Sequence, residues 1–184
     1  MKFIPTNVVG VMILDIEPHL DDRGFFARTW CQREGEANGL EFETLQCNVS
    51  FNLRKGTLRG MHYQIAPFDE VKLVRCTSGA LLDVTIDIRP NSRSFARYAA
   101  VELTAENRRA LYIPKGCAHG FLTLADDTEV FYQMSAVYSA EHSRGFRWDD
   151  PFFGVSWPTP IEVISERDRS YPAFVAASTI HTSR

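Results

Sequence analysis

The stretch Leu58-Arg59-Gly60-Met61-His62-Tyr63-Gln64 sets a guanidinium, an imidazole and a phenol close together in an otherwise alternating strand pattern, and Lys72 follows ten residues after His62. An imidazole titrates near neutral pH and so can accept a proton. An ammonium held in a barrel mouth stabilises an oxyanion such as an enolate. On neighbouring strands the two groups are what is needed to remove a proton next to a carbonyl. Each also has a plainer reading. A strand histidine often serves as a satisfied polar group, and a lysine among Val71, Leu73 and Val74 ordinarily points to solvent.

A second histidine follows a tight turn in Pro114-Lys115-Gly116-Cys117-Ala118-His119-Gly120-Phe121, where the proline sets φ and the glycine permits the reversal. In a small barrel such a turn aims His119 into the mouth, where His62 can join it. Two histidines in one mouth suit either a metal or acid–base chemistry. The Pro-x-Gly-x-x-His spacing resembles the second motif of the cupin superfamily, whose jelly-roll barrels often bind a transition metal through histidines and a glutamate. The first motif departs from that pattern: metal-binding cupins carry His-x-His, and here the string is His62-Tyr63-Gln64. An amide is a poor substitute for an imidazole ligand, so a metal-free barrel is expected, with His62, Glu70 and His119 as the three-ligand alternative. Inverting a carbon centre also needs an acid on the opposite face. Tyr132, in Glu129-Val130-Phe131-Tyr132-Gln133-Met134, offers one, although packing is the ordinary role of a strand tyrosine.

Short strands must position these groups. From Gly79 to Ile88 the period of two is clean, with Leu82, Val84, Ile86 and Ile88 on one face and Asp83, Thr85 and Asp87 on the other. Turn signals recur at Asn52 to Gly56, Pro67 to Asp69, Ser78-Gly79, Arg89 to Ser92, Ala105 to Asn107, Pro114 to Gly116 and Asp126-Asp127. Strand-length segments between regular turns predict an all-β fold of antiparallel strands, a sandwich or barrel. Upstream, Val8 to Ile16 reads as a strand, Asp21 to Gly24 as a turn and Phe25 to Trp30 as a strand. Cys31 to Asn38, stopped by Asn38-Gly39, reads as one short helix. Ser165 to Ala177 reads as a second short helix or a packed tail, with Ser165 as N-cap and Glu166 in the first turn.

At 184 residues and 45% hydrophobic content the chain suits one domain over 1–184 with a substantial core. Net charge is −3 and the 20 basic residues are scattered, so neither a nucleic acid nor a membrane partner is expected. The cysteines, Cys31, Cys47, Cys76 and Cys117, form no Cys-x-x-Cys pair and read as reduced thiols of a cytoplasmic protein. Residues 1–7 lack the apolar run of a signal peptide, and no stretch approaches the ~18 apolar residues that span a bilayer.

Taken together, the residues resemble the dTDP-4-dehydrorhamnose 3,5-epimerase family, a metal-free cupin branch. The likeness runs through Asp22-Arg23-Gly24-x-Phe26, Gln46-x-Asn48-x-Ser50, Gly56-x-Leu58 to Gln64, Lys72-Leu73-Val74, Asp83-Val84, Ile113 to Phe121, Trp148-x-Asp150-Pro151, Trp157-Pro158 and Ser165-x-x-Asp168. The resemblance implies a cupin-type jelly roll and epimerisation of a nucleotide-linked 4-keto-6-deoxy sugar through an enolate, with no cofactor. It implies His62 as base, Asp168 as its carboxylate partner, Tyr132 as acid and Lys72 as the enolate's counter-charge. Arg23 and Arg59 map to diphosphate contacts, His119 to a substrate contact, Phe26 and Tyr138 to aromatic surfaces beside the sugar and base, and Gln46, Asn48 and Arg167 to polar contacts along the nucleotide. It further implies a homodimer built by strands exchanged from the N-terminal region. Arg28 and Ser143 stand where relatives typically carry glutamate, and Asn52 replaces the second serine of a Ser-x-Ser, which leaves the reaction type intact and the nucleotide and sugar open. A monoepimerase and a nucleotide-sugar-binding barrel without turnover are the alternatives.

Overall fold

The computed structural model describes residues 1–176. In chain order the strands are β1 (Lys2–Pro5), β2 (Met12–Asp15), β3 (His19–Asp21), β4 (Gly24–Phe26), β5 (Gln46–Asn52), β6 (Thr57–Gln64), β7 (Lys72–Ser78), β8 (Ala80–Asp87), β9 (Tyr98–Thr104), β10 (Ala110–Ile113), β11 (Cys117–Thr123), β12 (Thr128–Met134), β13 (Ser143–Gly145) and β14 (Val163–Ile164). The helices are α1 (Gln32–Ala37) and α2 (Glu166–Arg169). One sheet runs β1-β2-β10-β7-β12-β5 and the other β13-β6-β11-β8-β9, with β14 added to β6 in parallel. The expected cupin-type jelly roll of antiparallel strands, with one or two short helices, is the observed architecture, and the described residues form two helices.

Apolar side chains of both sheets meet between them, among them Val74, Cys76, Leu81, Leu103, Leu111, Ile113, Phe121 and Val130. Trp30, Leu40 and Phe42 cover the outer face of the first sheet over Leu14, Leu73 and Tyr112. Phe146, Phe153, Trp157 and Phe174 cover the outer face of the second over Met61, Val84 and Ile86. Both faces of β8 are therefore buried, and its polar row points inward. Asp83, Thr85 and Asp87 are fully buried between the sheets, while Val84 and Ile86 pack under the C-terminal segment.

Helix α1 starts after Cys31 and stops at Asn38, followed by Gly39 at φ +74°. Helix α2 is capped by Ser165, whose Oγ accepts from Asp168 N at 3.0 Å. Ala177, the far limit of the expected second helix, lies outside the described residues.

The N-terminal expectation is corrected. Val8 to Ile16 is not one strand: Val11 N donates to Val8 O at 3.1 Å, closing a turn, and the ladder resumes only at Met12. Gly10, at φ +82°, takes a backbone that L side chains rarely adopt, and a Cβ there would stand 3.3 Å from Pro114 Cγ. The apolar valines of the turn are anchors instead, with Val8 and Val11 buried in the central core. Residues 2–5 form the partner strand that the apolar pattern did not announce. The expected strand Phe25 to Trp30 is likewise only Gly24–Phe26, paired with His19–Asp21 in a separate hairpin.

Candidate active site

Strands β6 and β11 pair so that His62 lies directly opposite His119. Arg59 and His62 are three residues apart, a spacing that puts side chains on opposite faces of a regular strand. Both nevertheless line the same cavity. The pairing shifts between His119 and Phe121, which face His62 and Arg59, so β6 carries one extra residue there, a β-bulge. Glycine permits it: Gly60 sits at φ +140°, and a Cβ on it would fall 2.6 Å from Gly120 Cα. The bulge turns the guanidinium and the imidazole to one side.

The cavity between the sheets holds about 480 Å³ and is lined by Arg59, His62, Lys72, His119, Tyr132, Arg167 and Asp168, with Val49, Ser50 and Phe51 of β5 at one wall. A recess of about 140 Å³ shares His62, Lys72, Tyr132 and Arg167 with it and adds Gln64, Glu70, Tyr138 and Ser143. His62 and His119 come from one sheet, Lys72 and Tyr132 from the other.

His62 Nε2 stands 2.6 Å from Asp168 Oδ1, and Gly60 N donates to Asp168 Oδ2 at 3.3 Å. Burial pushes the Asp168 carboxyl up, but the bonds from His62, Gly60 and Ser165 outweigh it and the net shift is downward. The carboxylate is therefore ionised at neutral pH and only accepts, so Nε2 carries hydrogen, and in the neutral ring Nδ1 holds the lone pair. Tyr171 packs its ring edge-on against His62 at 5.9 Å. His119 Nε2 is paired in the same manner with Asp83 Oδ2 at 2.7 Å.

Tyr132 projects from β12 on the opposite wall. Burial raises its hydroxyl's pKa, partly offset by the nearby Arg59 charge, so the phenol is protonated at neutral pH. Lys72 donates to Glu70 Oε1, and Glu70 Oε2 accepts from Gln64 Nε2 at 3.1 Å. Gln64 is thus a structural amide here. Among the described residues no group of three or more His, Cys, Asp or Glu side chains could hold a metal ion, so His62, Glu70 and His119 do not form the alternative ligand set.

The nucleotide-side candidates gather less completely. Arg59 is aimed by Asn52, whose Oδ1 accepts from its Nε at 2.8 Å, which gives the departure at Asn52 a local purpose. Arg167 donates to Tyr171 Oη at 2.8 Å and Ser143 Oγ at 2.9 Å, with Tyr138 Oη at 3.5 Å. The Arg167 bond lowers the Tyr138 hydroxyl's pKa. Gln46 Oε1 accepts from Tyr138 N at 2.9 Å and Gln46 Nε2 donates to Asn48, so this pair holds the Tyr138 segment.

Arg23 and Phe26 are not brought to the cavity of their own chain. They sit on the β3–β4 hairpin, with the Arg23 side chain 89% exposed and paired to Asp21, and Phe26 73% exposed. Arg28 is also elsewhere, bonded to Glu34 of α1 at 2.5 Å. Asp83 behind His119 has no role that the sequence alone announces, and Glu70, expected only as a ligand of the metal alternative, stands behind Lys72 instead. The available signal was spacing alone, since Glu70 lies two residues before Lys72, where β7 begins.

A family model described as dTDP-4-dehydrorhamnose 3,5-epimerase matches residues 5–176. The dTDP-4-dehydrorhamnose 3,5-epimerase of Sinorhizobium fredii is 40% identical over 174 residues, covering 94% of this chain and 89% of that protein. The Bacillus anthracis dTDP-4-dehydrorhamnose 3,5-epimerase, solved with TDP and PPi bound, superposes with a TM-score of 0.90 at 37% identity, covering 94% of this chain and 99% of that one. ChmJ, a 3'-monoepimerase from Streptomyces bikiniensis solved with dTDP-quinovose, gives a TM-score of 0.85 at 32% identity, covering 95% and 88%. With a match of this length in sequence and in fold, the chain belongs to the dTDP-4-dehydrorhamnose 3,5-epimerase family.

Proposed function

We propose that the chain, acting as one domain, epimerises a nucleotide-diphosphate-linked 4-keto-6-deoxy sugar, of which dTDP-4-dehydro-6-deoxyglucose is the first to test. One observation carries this reading: an Asp168-backed imidazole and a protonated Tyr132 face one cavity from opposed sheets, with the Lys72 ammonium in its wall. The C4 ketone acidifies the C–H bonds at C3 and C5. His62 Nδ1 takes one of those protons, and the C–H electron pair moves into the enolate, whose oxygen Lys72 stabilises. Tyr132 returns a proton to the opposite face of the carbon, and the enolate electrons re-form the ketone. Asp168 orients the ring and stabilises the imidazolium. His62 and Tyr132 are reset by proton exchange with solvent. Product and substrate are isomers, so no electrons leave and the chemistry calls for no redox cofactor.

Arg59 is suited to the diphosphate as a guanidinium fork. Tyr138, Arg167, Gln46 and Asn48 are assigned to the nucleotide side and His119 to the sugar. The bound TDP and dTDP-sugar of the two solved relatives support this direction. Four free thiols fit a reducing compartment, and the proposed setting is the cytoplasm. No described helix is long and apolar enough to cross a membrane.

We propose further that the working form is a homodimer. Strand β5 ends its sheet and leaves Val49 and Phe51 58% and 50% exposed, beside exposed Leu45 and Leu53. An open apolar edge calls for a partner. The β3–β4 hairpin, which places Arg23 and Phe26 away from its own cavity, would deliver them to the partner's. Light scattering should report a dimer, and Phe51→Asp should shift it toward monomer; a monomeric wild type refutes the assignment.

The activity test is incubation with dTDP-4-dehydro-6-deoxyglucose in deuterated water. Deuterium should appear at C3, C5 or both, and the product couplings read which centres invert. No exchange with this sugar or its other nucleotide-linked counterparts would overturn the proposal.

A further inference from the structure

We infer that Glu70 is a positioning residue for Lys72, anchored in turn by Gln64. The inference rests on the proposed role of Lys72 as the enolate's counter-charge and extends it. The Lys72 side chain is 11% exposed and that of Glu70 only 3%, and the ammonium donates directly to Glu70 Oε1. A buried ammonium without a carboxylate is held poorly, because desolvation disfavours the charge and nothing fixes the long side chain.

Glu70 is itself fixed. Its Oε2 accepts from Gln64 Nε2 at 3.1 Å, and that same amide nitrogen lies 2.9 Å from Phe68 O and 3.3 Å from Val137 O. Gln64 Oε1 accepts from Ser139 N at 2.7 Å. The amide therefore ties the carboxylate to both segments that border the recess. One Lys72 N–H is spent on Glu70 and two remain to face the cavity. Arg59 and Arg167 line the same cavity, so Glu70 also balances local positive charge on the Lys72 side. Asp168 on His62 and Asp83 on His119 repeat the arrangement: Lys72 and the two imidazoles each have one buried carboxylate partner.

The test is a double-mutant cycle with dTDP-4-dehydro-6-deoxyglucose as substrate. Glu70→Gln keeps shape and removes charge. It should lower kcat about 10- to 100-fold while KM and dTDP affinity change by less than about twofold. In a Lys72→Met background the same substitution should have almost no further effect on residual C–H exchange, because its effect runs through the ammonium. A merely structural role would instead multiply with Lys72→Met and lower the unfolding temperature. Should Glu70→Gln fail to fold, Gln64→Met carries the same cycle, with a smaller kcat loss expected that also vanishes without Lys72. Wild-type kcat in Glu70→Gln, or losses that multiply with Lys72→Met in either cycle, overturns the inference. A Lys72→Met variant with near-wild-type turnover would instead refute the role given to Lys72 itself.

Discussion

Asp168→Asn removes a charge at the centre of the site with little change in volume. Asp168 Oδ1 lies 2.6 Å from His62 Nε2, and Oδ2 accepts from Gly60 N at 3.3 Å, so both oxygens face donors. An asparagine offers one acceptor and one donor. If its oxygen stays on His62, its NH₂ meets the Gly60 N–H. If it flips, NH₂ faces Nε2 and drives hydrogen onto Nδ1, which then cannot act as base. In the first arrangement a charge-assisted bond is lost, roughly 1.5–3 kcal/mol. At about 1.4 kcal/mol per decade this is a roughly 10- to 150-fold loss in kcat, and the flipped tautomer deepens it. The assay is initial-rate deuterium incorporation at C3 and C5 by NMR, with dTDP affinity measured in parallel. The Ser165 cap is a backbone contact and survives the substitution, so the fold and dTDP binding should persist. Turnover within about threefold of wild type would refute the assignment of Asp168 as the base's partner.

Because the Asp168 carboxyl is lowered in the folded protein, its charged form contributes stability above the ordinary carboxylate range, and this is lost as pH falls through the folded value. The unfolding-temperature gap between wild type and Asp168→Asn should hold from pH 7 to about 5 and close below about 4. Tyr132→Phe should cost about 10²–10⁴ in product formation, as expected for a lost general acid, while dTDP binding measured by calorimetry stays close to wild type. Gly60→Ala forces a side chain into a left-handed backbone and 2.6 Å from Gly120 Cα. Strain of about 1–3 kcal/mol, at about 2–4 °C each in a chain of this size, predicts a melting-temperature drop of roughly 2–12 °C by calorimetry. Burial raises the Cys76 thiol to about 11 and the Cys117 thiol to about 12, so both should resist a thiol-disulfide reagent at neutral pH until the protein is unfolded.

Much of the site was legible because its signals are local. Alternation from Gly79 to Ile88 marked two faces of β8, the turn before His119 announced an imidazole at a strand mouth, and Ser165 marked the cap that presents Asp168. These rest on strand period, turn chemistry and capping, each decided within a few residues. Which face of β8 points inward was not legible, since both are buried and the polar row is the inner one. Arg28 and Ser143 were grouped as two departures from one pattern. The fold separates them: Ser143 lies in the recess beside Arg167, and Arg28 is on the surface with Glu34.

The side chains able to do chemistry, and the short antiparallel strands that carry them, follow from residue types and their period alone. The pairings that make them a site do not. His62 meets Asp168 across 106 residues and His119 meets Asp83 across 36. The bulge at Gly60 exists only because β6 lies against β11, with Gly60 and Gly120 in close approach. The break at Gly10, set against Pro114, is likewise a contact between distant segments. Local preference is felt over one turn or one strand, whereas register and burial are fixed by the packing of the two sheets. That packing puts Arg59 and His62 on one side of a strand whose sequence spacing sets them apart.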